Sequence, residues 1–170
     1  MPFHIRSSLP TDTSALWEML TYAARMPGPV AVDVAAAQAD PFLKKYVEGW
    51  GRPGDIGVLA LDGSGTAVGA AWVRLLEHNY YARNYAAENI PELAIGVRPE
   101  WRGKGIGSAL MKRLIPEITG YYPALVLSVR AINPAVHLYE RLGFVTVEEI
   151  ANRVGTPSVV MELILEGNER

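Results

Sequence analysis

The chain of 170 residues contains no cysteine. Disulfide bonds, cysteine metal ligands and a thiolate nucleophile are therefore excluded, and any thioester chemistry has to come from a bound molecule. The sequence also lacks an apolar run of the roughly 18 residues that a membrane-spanning helix needs, and its first residues lack the apolar core of a signal peptide. We expect a cytoplasmic protein without a membrane partner, and we predict no metal site.

A strong charge of either sign is absent as well. The sequence has 16 lysine and arginine residues against 18 aspartate and glutamate residues, a net charge of -2. Proteins that bind nucleic acid usually carry a basic surface, so a nucleic-acid partner is not expected. With 49% hydrophobic residues and no repeat or linker, residues 1–170 are predicted to form one α/β domain.

The pattern of the first half of the chain predicts an N-terminal strand, then helices, and then two strands that form a hairpin. The predicted elements are a strand at Phe3–Ser7, a helix through Leu16–Tyr22, a helix over Val32–Trp50 that breaks at Asp40-Pro41, and strands at Ile56–Leu61 and Ala67–Leu76. An Asp-Gly-Ser-Gly turn joins the last two, which makes them antiparallel. The segment Glu77–Asn89 contains three tyrosines and no clean period, which is typical of a functional loop.

The second half predicts a parallel pair of strands, because a helix connects Leu93–Val97 to Ala124–Val129. Pro116 lies in that helix and is expected to kink it or end it early. Asn133-Pro134 predicts the start of another helix, which stops at Gly143. The closing strands are predicted at Phe144–Val147 and Ser158–Leu165.

A glycine-rich loop stands between the first of these parallel strands and the following helix. Its glycines, Gly103, Gly105 and Gly107, can adopt positive φ and allow a close approach of the backbone to a ligand. The first turn of the next helix offers unpaired N–H groups and the positive end of the helix dipole. This order of strand, turn, glycine loop and helix predicts a phosphate-binding site, although any glycine loop before a helix can also be a plain structural turn.

Spacing separates three kinds of phosphate loop. A Walker A loop requires Gly-Lys-Ser/Thr, which does not occur here, and Lys104 precedes its glycines. The Gly-x-Gly-x-x-Gly of dinucleotide-binding proteins fails from Gly103, where the last position is Ser108, and from Gly105, where it is Leu110. Arg102, Gly105 and Gly107 do fit Arg-x-x-Gly-x-Gly. This spacing resembles the pyrophosphate loop of the GNAT superfamily of N-acetyltransferases.

Basic residues are concentrated near the loop. The stretch 98–113 holds five basic residues against one acidic residue, Glu100; the five are Arg98, Arg102, Lys104, Lys112 and Arg113. One interpretation is an ordinary solvated helix face. The other is a local positive field for the phosphates of coenzyme A.

A second motif carries the same resemblance. The segment 133–144 starts at Asn133, has Tyr139 six residues on and leaves through Gly143-Phe144, and it is similar to the other signature of GNAT enzymes. The resemblance is close over residues 91–147. It implies a mixed, mostly antiparallel twisted sheet of six to seven strands flanked by about four helices, with a splayed parallel pair at the fourth and fifth strands.

The resemblance also implies acetyl-CoA as cosubstrate and assigns the residues that bind it. Its pantetheine arm would pair with the backbone near Ile95 and Val97, its pyrophosphate would lie on the amides of 103–108, and Tyr139 would reach its sulfur. The residues implied to bind acetyl-CoA are Ile95, Val97, Arg102, Gly103, Lys104, Gly105, Ile106, Gly107, Ser108, Asn133 and Tyr139.

Amine acetylation explains why acid and base groups are needed. An alkylamine with a pKa of about 10.4 is neutral about once in 2,500 molecules at pH 7, so it has to lose a proton before attack. Glu92 is the predicted base, with His78 as the alternative. The N–H near Ile95 is the predicted donor to the carbonyl oxygen. Tyr139 is the predicted acid, since a tyrosine hydroxyl can donate a hydrogen bond or a proton to the leaving thiolate.

Each role has a structural alternative. Tyr139 could be a core tyrosine, and Glu92 a solvated residue at a strand start. A noncatalytic acetyl-CoA sensor is the competing function, although the presence of both residues favours an enzyme. The predicted acceptor is a small-molecule or peptide amine held near Tyr22–Trp50 and Glu77–Asn89, and family habit allows a homodimer.

Overall fold

The computed structural model describes residues 1–23, 33–76 and 89–165. It contains seven strands, β1 (Phe3–Ser7), β2 (Ile56–Asp62), β3 (Ala67–Arg74), β4 (Glu92–Val97), β5 (Ala124–Arg130), β6 (Val145–Ala151) and β7 (Pro157–Ile164). Their hydrogen-bonded order is β1-β2-β3-β4-β5-β7-β6. β4 pairs with β5 in parallel, whereas β1 with β2, β2 with β3, β5 with β7 and β6 with β7 are antiparallel. The predicted fold class is confirmed.

Five α-helices accompany the sheet within these residues: α1 (Thr13–Ala23), α2 (Val34–Ala39), α3 (Pro41–Lys44), α4 (Ile106–Ile118) and α5 (Ala135–Arg141). Short 3₁₀ turns occur at Pro10–Asp12 and Pro99–Trp101. The expected count of about four helices differs because the predicted second helix is divided at Asp40-Pro41. Asp40 caps α3, accepting from the Phe42 amide at 2.9 Å, and Pro41 occupies its first turn.

The chain separates into two compact units, and the prediction of a single domain over 1–170 stays a prediction. The first unit comprises Met1–Arg74 and Ala94–Ile118, and the second comprises Leu75–Leu93 and Thr119–Arg170. The glycine loop and helix α4 belong to the first unit. The start of β4, helix α5 and strands β5 to β7 belong to the second.

The core of the first unit forms where α1 packs on β2 and β3. Leu16, Met19 and Leu20 of α1 are buried with Leu59 and Trp72, and removal of such apolar surface from water drives folding. A buried ion pair adds a fixed point at the end of β3, where Arg74 Nη2 lies 2.9 Å from Asp55 Oδ2. Arg74 also donates to the carbonyl oxygens of Lys45 and Glu48, so the segment after α3 is held to the sheet.

The second unit is built on antiparallel pairing of β5 and β6 with β7. The start of β4 adds to it in register, with Glu92 opposite Val126. β5 reads as a buried strand in the sequence, and Ala124 to Leu127 are buried in the structure. Gly143 adopts φ +102° directly after α5, which confirms it as the residue that ends the helix.

Several boundaries differ from the sequence prediction. Helix α3 ends at Lys44, whereas the sequence predicts that the helix reaches Trp50, and strand β3 ends at Arg74 instead of Leu76.

Helix α4 does not end at Pro116 but continues to Ile118. Leu114 and Ile118 are both fully buried, and this packing outweighs the single hydrogen bond that proline removes near the end of a helix. Strand β6 extends to Ala151 rather than ending at Val147, because the turn-rich segment that limits it lies farther along.

Some predictions fall outside the described residues. They include the loop of three tyrosines, Tyr80, Tyr81 and Tyr85, the alternative base His78, and the beginning of the predicted second helix at Val32. Within the ranges that the structure covers, no helix is both long and apolar enough to cross a membrane.

Candidate active site

The glycine loop has the backbone that a phosphate site needs. Gly103 has φ +74° and Gly105 has φ +82°, values that residues with a Cβ rarely adopt. A Cβ at either position would meet no atom within 4 Å, so these glycines are required by backbone conformation and not by crowding. Gly107 has no positive φ and lies instead in the first turn of α4. Arg102 to Gly105 are exposed.

Helix α4 begins immediately after the loop. Its first backbone hydrogen bond into the loop joins the Ala109 amide to the Gly105 carbonyl at 3.0 Å. The amides of Ile106, Gly107 and Ser108 precede this bond and have no acceptor within the helix. These amides and the helix dipole favour an anion at this end, as the sequence predicts.

The positive charge near the loop is smaller than the sequence indicates. Arg98 is paired with Glu18, Nε to Oε2 at 2.6 Å, and Arg113 is paired with Glu117, Nε to Oε1 at 2.9 Å. Across the described part of the chain, no ion pair includes Arg102, Lys104 or Lys112. Among the described residues, these three cations therefore have no acidic partner in an ion pair.

Side chains of strand β4 alternate between its two faces. Ala94 and Gly96 are buried, whereas Ile95 and Val97 are half-buried and point to the opposite face. The Val97 carbonyl accepts a long hydrogen bond from Arg102 Nε at 3.4 Å. The two residues predicted to pair with the pantetheine arm thus lie on one face of the strand that leads into the loop.

Helix α1 approaches β4 closely enough to require a glycine. A Cβ on Gly96 would overlap the carbonyl oxygen of Met19, so α1 packs on this point of the strand with its backbone. Arg98 follows two residues later and binds Glu18 on the same helix. Neither contact is predicted from the sequence, although an isolated glycine inside a strand pattern is a signal for the first.

Glu92 is buried in the second unit, at 3% exposure. This contradicts the alternative that it is a solvated residue at a strand start. It begins β4 in register with Val126, and the Val126 amide donates to the Pro91 carbonyl at 3.1 Å, so the backbone around it is held by β5. Buried glutamates are usually paired with another group, and Glu92 has such an interaction.

Asn133 lies two residues before α5 and Tyr139 lies within it. The exposed Asn133 side chain accepts from the Ala135 amide at 2.9 Å, but Pro134 and not Asn133 occupies the N-cap position, so the predicted asparagine cap is displaced by one residue. Tyr139 is buried, and its ring lies 5.6 Å from that of Phe144. Loss of solvent raises the pKa of Tyr139 to about 12, so its hydroxyl stays protonated at neutral pH.

The predicted site residues are therefore divided between the two units. Ile95, Val97 and residues 102–108 lie in the first, and Glu92, Asn133 and Tyr139 lie in the second. No group of three His, Cys, Asp or Glu among the residues described could hold a metal ion.

Residues 53–146 match the family model described as an acetyltransferase (GNAT) domain. This span includes β2 to β5, the glycine loop and α5. It covers more than half of the chain and contains every residue predicted for the site.

Two curated relatives are similar in sequence. Mycothiol acetyltransferase of Streptomyces coelicolor is 29% identical over 147 residues, which are 85% of this chain and 43% of the relative. The chain therefore spans less than half of that protein. An uncharacterized N-acetyltransferase of Schizosaccharomyces pombe is 30% identical over 120 residues, which are 69% of this chain and 68% of the relative.

A solved structure is similar in fold. It is a GNAT superfamily phosphinothricin acetyltransferase from Sinorhizobium meliloti in complex with AcCoA, with a TM-score of 0.68 and 22% identity, covering 97% of this chain and 89% of that one. At this identity the likeness concerns the fold alone. Taken with the family model, the glycine loop and the helix after Asn133 that contains Tyr139, it leads to one assignment: the chain belongs to the GNAT family of acetyltransferases.

Proposed function

We propose that this chain is an acetyl-CoA-dependent N-acetyltransferase that moves the acetyl group directly to a primary amine. The observation that carries the proposal is the exposed loop in which Gly103 and Gly105 hold left-handed conformations immediately before the free amides of α4. Such a loop fits a pyrophosphate because it offers backbone donors and room for close approach.

Acetyl-CoA would be bound largely through backbone groups. The amides of 103–108 would bind the pyrophosphate, with Arg102 and Lys104 adding charge. The backbone of Ile95 and Val97 would pair with the pantetheine arm as an added strand does. Asn133 would contact the coenzyme from the start of α5 through its amide nitrogen, since its oxygen already accepts from the Ala135 amide.

Glu92 is the group that would take the proton of the attacking amine, directly or through one water. The neutral nitrogen then forms a bond to the acetyl carbon as the carbon–sulfur bond breaks and releases its second proton to solvent water, and the Ile95 amide would donate to the carbonyl oxygen. The products are the amide and coenzyme A as a thiolate. The proton held by Glu92 then passes to solvent.

Tyr139 would stabilise the departing thiolate by donating a hydrogen bond. Burial raises the pKa of its hydroxyl to about 12, whereas a thiol has a pKa of about 8.5. Complete transfer of the proton from Tyr139 to the sulfur is therefore unfavourable, and the thiolate would be protonated by solvent. The raised pKa supports the hydrogen bond over full proton transfer, the two roles that the sequence left open for Tyr139.

The acceptor is proposed only as a class, a small-molecule or peptide amine. The relatives' names indicate acetyl transfer but belong to different proteins, and residues 24–32 and 77–88 of the predicted acceptor segments lie outside the described residues. A cytoplasmic location and a homodimer remain predictions.

The test is calorimetric titration with acetyl-CoA, followed in the same sample by release of coenzyme A thiol with a panel of small amines, amino acids, peptides and aminoglycosides. Binding together with release for one amine class is the expected result. Binding without release across the panel would favour the noncatalytic sensor, and no binding would remove the basis of the proposal.

A further inference from the structure

A bidentate ion pair joins helix α1 to the end of strand β4. Arg98 Nε donates to Glu18 Oε2 at 2.6 Å, and Nη2 donates to Oε1 at 2.8 Å. The Tyr22 hydroxyl also donates to Glu18 Oε2, at 3.2 Å. Two parallel hydrogen bonds between a planar guanidinium and a carboxylate fix the orientation of both groups, which a single contact does not.

Arg98 is held from a second direction by its backbone. Its amide donates to the Val68 carbonyl of β3 at 2.9 Å. Two residues earlier, Gly96 lies against the Met19 carbonyl of α1. The end of β4 is therefore fixed between a neighbouring strand and a helix, and the ion pair is the last of these contacts before the chain leaves the sheet.

The path from Arg98 to the glycine loop is short and ordered. The Trp101 amide donates to the Arg98 carbonyl at 2.9 Å, and the Arg102 amide donates to the Pro99 carbonyl at 3.2 Å. Trp101 is buried. The orientation of Arg98 is consequently transmitted through one 3₁₀ turn to Arg102, where the loop begins.

We propose that Arg98 and Glu18 are a positioning pair, which holds the end of β4 and the entrance of the glycine loop in the geometry that binds acetyl-CoA. This inference rests on the proposed function of the loop. Neither residue is placed in contact with the reacting atoms, so both act through the backbone of Val97 and Arg102.

The pair is better suited to geometry than to stability. Its side chains are 26% and 31% exposed, and partly solvated ion pairs contribute little to the free energy of unfolding. A displacement of less than one ångström at a binding loop nevertheless weakens affinity, because the loop amides then no longer converge on the ligand. The pair should therefore affect ligand affinity more than thermal stability.

The experiment measures acetyl-CoA affinity by calorimetry, the melting temperature, and turnover at saturating acetyl-CoA for Arg98→Gln, Glu18→Gln and the double variant. We expect each single variant to raise the dissociation constant about tenfold, the size of effect typical of residues that act at a distance from a ligand. The double variant should lose no more than either single one. Turnover at saturation should stay within about twofold of native.

Arg113→Gln is the matched control. It breaks the Arg113–Glu117 pair of α4, which hydrogen-bonds to Ile5 and Ser7 of β1 and makes no hydrogen bond to β4 or the loop among the described residues. Its affinity should equal that of the native protein. Arg98→Lys keeps the positive charge but cannot form the two parallel hydrogen bonds of the guanidinium, so its acetyl-CoA affinity should lie between those of the native protein and Arg98→Gln.

The outcomes separate this inference from the proposed function. If the native protein fails to bind acetyl-CoA, the proposed function is wrong. If the native protein binds and Arg98→Gln and Glu18→Gln bind equally well, or if their losses simply add in the double variant, the positioning role is wrong. Should Arg98→Gln fail to fold, the milder Glu18→Gln and Arg98→Lys variants decide the same question.

Discussion

The two units of the chain contain two different kinds of functional group. The glycine loop of the first unit is exposed and offers backbone amides, which depend on the left-handed conformations of Gly103 and Gly105. The second unit offers buried side chains, Glu92 at 3% and Tyr139 at 5% exposure. A site made of backbone amides is altered by a substitution that changes the φ angle of a loop residue. A site made of side chains is altered by a substitution that removes the functional atom. We therefore expect changes in the loop to affect binding and changes in the buried pair to affect turnover.

Among changes that test this difference between the units, Glu92→Gln is expected to have the largest effect, a loss of turnover. Loss of a general base typically lowers turnover 10²- to 10⁴-fold, and we expect about 10³-fold here. Glutamine has no carboxylate to accept the proton of the attacking amine. The measurement is turnover at saturating acetyl-CoA. Glu149→Gln, which changes an exposed carboxylate of the same unit, should behave as native; native turnover in Glu92→Gln would show that another group is the base.

Tyr139→Phe should lower turnover about 100-fold, the effect typical of removing one donor from a developing negative charge. Acetyl-CoA affinity should change by less than about threefold, because the hydrogen bond from Tyr139 forms with the departing thiolate and not with bound acetyl-CoA. Steady-state kinetics and calorimetry together measure the two quantities.

Tyr122→Phe is the control for that change, since Tyr122 is also buried in the second unit and has no proposed catalytic role. Its turnover should remain close to native. Equal turnover in native protein and Tyr139→Phe would return Tyr139 to the alternative of a core tyrosine.

Tyr139 should also link stability to alkaline pH. Its pKa is raised by burial to about 12 in the folded chain, against about 10 when unfolded. The folded state thus binds the proton more tightly, so its contribution is complete below pH 10 and is lost as pH rises through 12, about 2 to 3 kcal/mol in all. Denaturant unfolding at pH 9 and at about pH 12 should show this loss in the native protein and a smaller one in Tyr139→Phe. The same loss in both proteins would contradict the assignment.

The smallest effect is expected from Gly105→Ala in the loop. A Cβ at φ +82° costs about 1 to 2 kcal/mol in backbone strain, and relief of that strain would turn the loop amides away from the ligand. Acetyl-CoA affinity should fall about tenfold with turnover at saturation unchanged.

Gly65→Ala offers a matched control because Gly65 has φ +83° and equally open surroundings in the turn between β2 and β3. It should lose similar stability and keep native affinity, as calorimetry and thermal melting would show. Equal affinity in the two alanine variants would mean that the loop conformation does not matter for binding.

The order of strands and helices was predictable because it follows from local signals. Periodicity, the Asp-Gly turn after β2 and the start of α5 after Asn133-Pro134 each depend on residues close in sequence, and all three are confirmed. The conformations of Gly103 and Gly105 were predictable for the same reason.

Contacts between distant residues were not predictable. Glu18 and Arg98 are 80 positions apart, so their charges were counted separately and the positive field near the loop was overestimated. The burial of Glu92 depends on the register of β4 with β5, which no local pattern specifies. The missing hydrogen bond of Pro116 predicts a kink or an early end of α4. The helix continues because Leu114 before the proline and Ile118 after it are buried, and no local signal shows this packing.

Direct acetyl transfer is tested by intact-mass spectrometry of a single turnover with acetyl-CoA that carries a deuterated acetyl group, in the presence of the amine found active in the panel. The account predicts that the label passes to the amine while the protein mass stays unchanged, since the chain has no cysteine to hold a thioester and both Glu92 and Tyr139 act on protons alone. A labelled protein that then passes its acetyl group to the amine, or thiol release without any labelled amine, would contradict it.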